Sequence, residues 1–477
     1  MHNPRDAPQS DLCLVGKGKR VASANTGSPL WSSSFAFYLS AVGAAVGLGS
    51  IWRFPYLVGS SGGSAFIFVF VLACLLIATP LLVAEFAIGR QSRRSPPQAA
   101  GVVSVDSGLS TRWNVIGVLG TLAVFMIMSF YMVIAGWVLA YTWKVGAGAL
   151  AGLERPEVAS LWREFLSRPL EVGAWHLAFV VLVAFISARG VGRGIEAANK
   201  IRAPALLTLL LILVVYALAT GDVANGLAFA FAPNFGAITP QIVLAAIGQA
   251  FFATGVGTAM MLAYGAYVER GTSLPRCALI VVGSILLVSL LATLMIFPLV
   301  FAYGMDPAQG TELVFEVLPT LFAEMPGGRF IGTLFFLLLI FAALTPSLAG
   351  IEPLVAWLEQ RRGLGRPTAA VIVAGASWMV GIGSLLSFNL WSAWRPLGSI
   401  PVFAQSTFFD VMDYVSSNVL LPVGALLTSI FVGWRVSRNI VAEQLEETTP
   451  LGRRLVVWLL RYICPVAIAV ILVTAIA

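Results

Sequence analysis

Gly43, Gly47 and Gly49 crowd into one short run, with Arg53 and Pro55 just behind them (GAAVGLGSIWRFP, Gly43–Pro55), inside an apolar stretch long enough to cross a bilayer. A helix that only anchored would avoid these residues. Glycine loosens a helix, proline removes a backbone donor, and an arginine at membrane depth costs about 2.5–3.5 kcal/mol on insertion scales. The chemistry available here is that of the backbone itself, because an interrupted helix leaves carbonyl oxygens and N–H groups for a ligand. One such run alone would read as a glycine face for close helix packing. A second changes the reading: Thr254-Gly255-Val256-Gly257-Thr258 echoes Val46-Gly47-Leu48-Gly49-Ser50 inside another long apolar stretch. Paired interruptions in two halves of a membrane chain point to the binding site of a transporter.

The elements that must position these runs are membrane helices. The chain has 477 residues, 58% hydrophobic and 11% charged, with a mean hydropathy of +0.90, a composition whose solvent is mostly lipid. Windows of roughly 20 apolar residues fall near 33–59, 64–89, 114–146, 174–189, 195–220, 240–268, 277–304, 330–359, 367–391, 408–434 and 455–477, eleven in all. The first begins too deep in the chain, and runs too long, for a cleavable signal peptide. Nineteen Lys and Arg residues fall on the side of the N-terminus and five on the other. The positive-inside rule therefore predicts a cytoplasmic N-terminus, an external Ala477 and residence in the cell's inner (plasma) membrane. The formal charge of +7 is accounted for by that topology, and no basic arm suggests nucleic acid. Cys13, Cys74, Cys277 and Cys464 are scattered, so neither a disulfide framework nor a metal site is expected. His176 reads as an interfacial residue. No nucleophile motif falls in the spans, and no enzymatic activity is expected.

These runs, with SGGSAF (Ser61–Phe66), PLLVAEFAIGR (Pro80–Arg90), GWVLAY (Gly136–Tyr141), GIEAANKIRAP (Gly194–Pro204), GQAFFATGVG (Gly248–Gly257), FAALTPSLAGIEP (Phe341–Pro353) and NVLLPVGALLTSIFVGW (Asn418–Trp434), resemble the neurotransmitter:sodium symporter family in its bacterial eleven-helix form. The resemblance implies an all-α polytopic fold. A cytoplasmic tail over 1–30 would precede a transporter domain over 31–477, built of two inverted five-helix repeats (33–220 and 240–434) and an eleventh helix (455–477). It implies a substrate site at Ala45, Gly47, Leu48, Gly49, Ile127, Tyr131, Phe252, Gly255, Thr258, Ser347 and Gly350. Gly47 stands where monoamine carriers of the family have an aspartate, so the expected substrate is an amino acid that brings its own carboxylate. Thr258 and Gly350 replace bulkier apolar residues, which favours a large neutral or aromatic side chain.

The ion sites depart from the family. The first sodium site would read Ser50, Ala253 and Ile285, of which only Ser50 offers the side-chain oxygen a hard cation needs, and it is expected to be lost. At the chloride position Phe70 and Ala253 leave only Gln249 and Ser289, so chloride dependence is not expected. The second sodium site keeps the carbonyls of Gly43, Val46 and Ala342 and the hydroxyl of Thr345, but Pro346 replaces its last ligand and removes the N–H that would have bonded Ala342. Three outcomes stay open: one weakened sodium site, proton coupling with Glu85 as the first candidate carrier, or exchange without an ion. Arg202 reads either as a positive charge near the second site's cytoplasmic exit or as a positive-inside residue.

Arg53 and Asp413 match the family's outer charged gate. At the inner gate Ser28 and Gln360 replace the charged pair, while Trp31 and Tyr267 remain. The Gly194 to Pro204 spacing implies cytoplasmic unwinding of its helix. No cofactor is expected. The expected partners are an amino acid and the bilayer, with a homodimer left open. A non-transporting amino-acid sensor is the alternative from another class.

Overall fold

The computed structural model describes residues 31–307 and 313–476. The tail over 1–30, with Ser28, lies outside the described residues. Among those described, nine helices are long and apolar enough to cross a membrane: Ser64–Ser92, Thr111–Gly146, Pro169–Ala188, Val191–Thr220, Leu274–Ala302, Gly328–Arg362, Arg366–Leu386, Phe408–Arg435 and Pro450–Thr474. They are the second to fifth and the seventh to eleventh spans. The first is a bent pair, Ser34–Ala45 and Gly49–Ser60, kinked by 50°. The sixth is Pro240–Thr254 followed by Met260–Gly265. Both breaks fall on the glycine-rich runs.

Each break has a local cause. Ser33 caps the first half-helix by accepting from Ala36 N–H at 3.1 Å. The ladder ends when Val46, with extended backbone (φ −77°, ψ 103°), closes the last bond to Val42 O. In the sixth span Gly255 and Gly257 take positive φ (66° and 83°), and so does Ala259 (59°). A side chain in that left-handed region costs roughly 1–2 kcal/mol, a strain of the kind that gathers at functional sites. Glu85 from the second span bridges the gap, its Oε1 accepting from Gly257 N–H at 2.7 Å.

Glycine also sets how closely the spans approach. A Cβ on Gly89 would run into the Leu262 carbonyl, and one on Gly265 would lie 2.7 Å from Phe86 O, so the second span and the inner half of the sixth touch backbone to backbone. Such small-residue crossings replace the hydrophobic drive that lipid cannot supply. His176 is not interfacial as the sequence suggested: it is fully buried, its backbone against Gly136 and its imidazole against Gly381, so two glycines admit one ring.

Two further expectations shift. The eleventh span begins at Pro450, where Thr449 accepts from Gly452 N–H at 3.2 Å, so Arg453 and Arg454 lie in its first turns and not in the preceding loop. The fifth span is wound: Gly194 lies in the π-helical turn Val191–Glu196 and Pro204 inside Ala197–Thr220. Short helices outside the membrane, Pro96–Asp106, Arg155–Leu166 and Val223–Phe231 among them, have no counterpart in the hydropathy windows.

Candidate functional site

The two breaks meet the third and eighth spans around a crevice of about 480 Å³. Ala45, Gly47 and Gly49 line it from the first span, Ile127 and Tyr131 from the third, Phe252, Gly255 and Thr258 from the sixth, and Pro346 from the eighth. Val124, Ile127, Met128 and Tyr131 all face it, the three-, four- and seven-residue spacing of one helix face. That spacing was the available signal for Val124 and Met128, which the sequence reading passed over.

The polar end of the crevice is small and specific. Leu48 N–H donates to the Tyr131 hydroxyl at 3.4 Å, and among the described residues none accepts the hydroxyl's own proton. In the half-helix resuming at Gly49, Ser50 N–H closes back on Gly47 O at 3.1 Å, and helix N-termini favour anions. Phe252 packs on Gly49, 3.0 Å from where a Cβ would stand. No Asp or Glu lines the crevice, so an amine entering it finds no counter-charge from the protein.

Four of the expected substrate residues play other parts. Leu48 contributes its N–H and not its side chain. The Ser347 hydroxyl bonds back to Ala343 O at 2.8 Å. The room left by Gly350 is taken up by Met128, whose Sδ lies 2.5 Å from where a Gly350 Cβ would be. Methionine is flexible and polarisable, so that room is adjustable and not simply open. The Thr258 hydroxyl is spent on Gly255 O at 2.5 Å.

At the position matching the first sodium site one side-chain oxygen is present. Ala253 and Ile285 are buried carbon, and the Ser50 hydroxyl is buried without a partner. The chloride position holds Phe70 and the unpartnered hydroxyl of Ser289, and Gln249 Nε2 donates to Gly49 O at 2.7 Å. At the second position the Thr345 hydroxyl turns back to Phe341 O (3.1 Å), presenting its methyl to Gly43, and the Pro346 ring packs against Gly47. Pro346 offers the site no side-chain oxygen, and the Thr345 hydroxyl, donating to Phe341 O, has only its lone pairs to give. The second carboxylate oxygen of Glu85 is buried without a partner.

The gates differ from expectation on the outer side. Arg53 and Asp413 do not form an ion pair: the guanidinium lies 4.3 Å over the Phe252 ring, and Asp413 Oδ1 accepts from Ser417 at 2.9 Å. A ring face from the sixth span and a serine one turn along from Asp413 engage the two groups in place of the pair. The inner cluster is assembled. Trp31 donates its backbone N–H to Tyr267 O and its indole N–H to Tyr264 O, at 3.3 and 3.4 Å. Gln360 accepts from Ser95 N–H at 2.8 Å. Ser32 hydrogen-bonds Glu196 of the fifth span through both its N–H and its hydroxyl.

Sequence reasoning missed the centre of this cluster. Glu352 is fully buried, accepts from the Tyr267 hydroxyl at 3.0 Å, and pairs with Arg366 at 2.6 Å. Arg366 also donates to Ser187 O at 2.9 Å, so one ion pair joins the fourth, sixth, eighth and ninth spans. A carboxylate inside an apolar helix was the available signal.

A helical bundle whose first and sixth spans break side by side around such a crevice is a secondary-transporter fold. The chain belongs to the sodium:neurotransmitter symporter family, whose profile matches residues 28–152 and 169–477. It is 35% identical over 448 residues to the uncharacterized sodium-dependent transporter YhdH of Bacillus subtilis, covering 92% of this chain and 96% of that one. An uncharacterized sodium-dependent transporter of Haemophilus influenzae is 32% identical over 454 residues, covering 93% and 97%. Among solved structures, that of MhsT in complex with L-phenylalanine superimposes with a TM-score of 0.86 at 36% identity, covering 94% of this chain and all of that one. The fold is therefore the inverted-repeat architecture of the bacterial leucine transporter.

Proposed function

We propose that this chain is a secondary active transporter that moves a large neutral or aromatic amino acid by alternating access, with its first sodium site lost and its second altered. The observation that carries this reading is the crevice itself. A hydroxyl with an unspent proton and a broken-helix N–H sit at one end, and apolar walls with adjustable Met128 and Met260 at the other. A substrate carboxylate would take Leu48 N–H from Tyr131 and accept the tyrosine's proton as well. Its ammonium group would meet the carbonyl oxygens of the two breaks. Phe252 would cover the substrate, with Arg53 stacked on its outer face. MhsT, by the description of its structure, takes L-phenylalanine. The excess of arginine and lysine on one side supports a cytoplasmic N-terminus.

A second reading, sodium symport through one weakened site, is favoured by the retained carbonyls of Gly43, Val46 and Ala342. Uptake of radiolabelled phenylalanine, tryptophan and leucine into proteoliposomes, under a sodium gradient, a proton gradient or neither, tests both. No uptake of any amino acid under all three conditions would sink the proposed function. Gly350→Leu supplies the sharper test of the side-chain pocket. Its side chain must displace Met128, and phenylalanine uptake should fall at least roughly tenfold while alanine uptake persists, since one pocket methylene is worth about 1–3 kcal/mol. Equal loss of both would deny Gly350 a role in selecting size.

A further inference from the structure

A crevice of about 880 Å³ opens between the first, fifth, seventh and eighth spans, lined by Gly43, Val46 and Thr345 of the second ion site together with Arg202, Pro204 and Ser284. The residues present leave a bare sodium ion there short of side-chain oxygens, with Thr345 alone to supply one. A hard cation is held by oxygens that replace its hydration shell. Of the two side-chain oxygens the family pattern supplies, Pro346 has none, and Thr345, donating to Phe341 O, turns its methyl towards Gly43 and has only lone pairs to offer. What the site contains in their place is a pair of donors.

Arg202 is only 6% exposed. Its Nε donates to Ala198 O at 3.1 Å and its Nη2 to Asn199 Oδ1 at 2.8 Å, while Nη1 is buried with no partner. No carboxylate pairs with it among the described residues, unlike Arg366 with Glu352. Asn199 packs against Gly43, 3.4 Å from where a Cβ would stand, and its Nδ2 is likewise buried and unpartnered. A topological arginine would reach for the cytoplasmic surface, as the exposed Arg189 and Arg193 of the preceding turns do. Arg202 is folded inward. Opposite it are acceptors short of donors: the helical ladder of the first span stops at Val46, and Pro346 has no N–H for Ala342 O.

We propose that the Arg202 guanidinium is the resident cation of the second site. When the crevice closes, its Nη1 and the Asn199 amide donate to the carbonyls of Gly43, Val46 and Ala342, holding the break of the first span as an ion would. Sodium is excluded by a like charge and by donors facing the place where its ligands should be. This deepens the reading of the altered second site and rests on it. The consequence is a carrier whose cation stays with the protein and is not transported through this site.

The test is equilibrium binding of radiolabelled sodium to the purified full chain, with radiolabelled phenylalanine binding measured on the same samples. Arg202→Ala/Pro346→Ser, which removes the tethered charge and restores a hydroxyl, is expected to gain saturable sodium binding at least about tenfold tighter than wild type, and Arg202→Gln a smaller gain. Arg202→Lys keeps the charge and should match wild type. Arg202→Gln, with its smaller perturbation, decides the matter if the double variant does not fold. A folded Arg202→Gln with no gain over wild type overturns the proposal. So does saturable chloride binding by wild type that disappears in Arg202→Gln, which would assign the free donors to an anion. Failure of phenylalanine to bind with the sodium pattern intact would remove the substrate reading and leave this one standing.

Discussion

Tyr131→Phe will weaken amino-acid binding by roughly 10- to 100-fold, the worth of one hydrogen bond to a charged group, and leave thermal stability close to wild type. Among the described residues the hydroxyl bonds only Leu48 N–H, and that N–H sits at a break already open to a crevice, so removing the oxygen strands little in the empty protein. In the loaded protein the same oxygen would be the one side-chain donor to the substrate carboxylate. The asymmetry between a small cost to folding and a large cost to binding is what separates a recognition residue from an aromatic packed on a span. Calorimetric titration of phenylalanine into the purified variant checks it. Unchanged affinity would refute the placement of the carboxylate, whatever the fate of the ion.

Glu352→Ala will do the reverse. It leaves Arg366 the partly exposed Glu359 at 3.3 Å as its one carboxylate among the described residues and takes away the acceptor of the Tyr267 hydroxyl. Breaking a buried ion pair by removing one partner typically costs about 3–5 kcal/mol, a large share of any protein's margin. Arg366→Ala/Glu352→Ala should recover much of that loss, because no charge is then stranded. Thermal unfolding in detergent reads both. Since the pair ties the sixth span to the eighth and ninth on the inner side, a cysteine placed at the buried Ala263 should become reactive to cytoplasmic thiol reagents in Glu352→Ala. Protection equal to wild type would limit the pair to holding the fold and deny it a part in closure.

Much of this molecule is legible in its sequence because membrane helices obey two strong local constraints, length and apolarity. Every expected crossing has a helix or a broken helix at its place, and the glycine runs mark both breaks. What the sequence does not carry is competition between neighbours distant in the chain. Arg53 has a charged partner by resemblance but an aromatic ring within reach by geometry. Gly350 reads as open space until Met128, from another span, moves into it. His176 looks interfacial until Gly136 and Gly381, hundreds of residues apart in the chain, are seen to make a slot for it. Glu352 follows the same rule: nothing beside it in the chain tells that Arg366 of the ninth span folds over it.

The meshing of Gly89 with Gly265 bears on how such a carrier moves. With each Cα seated against the other helix's carbonyls, the pair has no clearance to slide or roll, much as two gears locked tooth to tooth cannot turn independently. The second span and the inner half of the sixth must travel as a single lever. On the proposed alternating access, opening on that side would then fall to the first half of the first span, which could swing about the slack at Val46–Leu48 once Ser32 lets go of Glu196. A larger residue at Gly89 would pry the lever apart and leave substrate binding without transport.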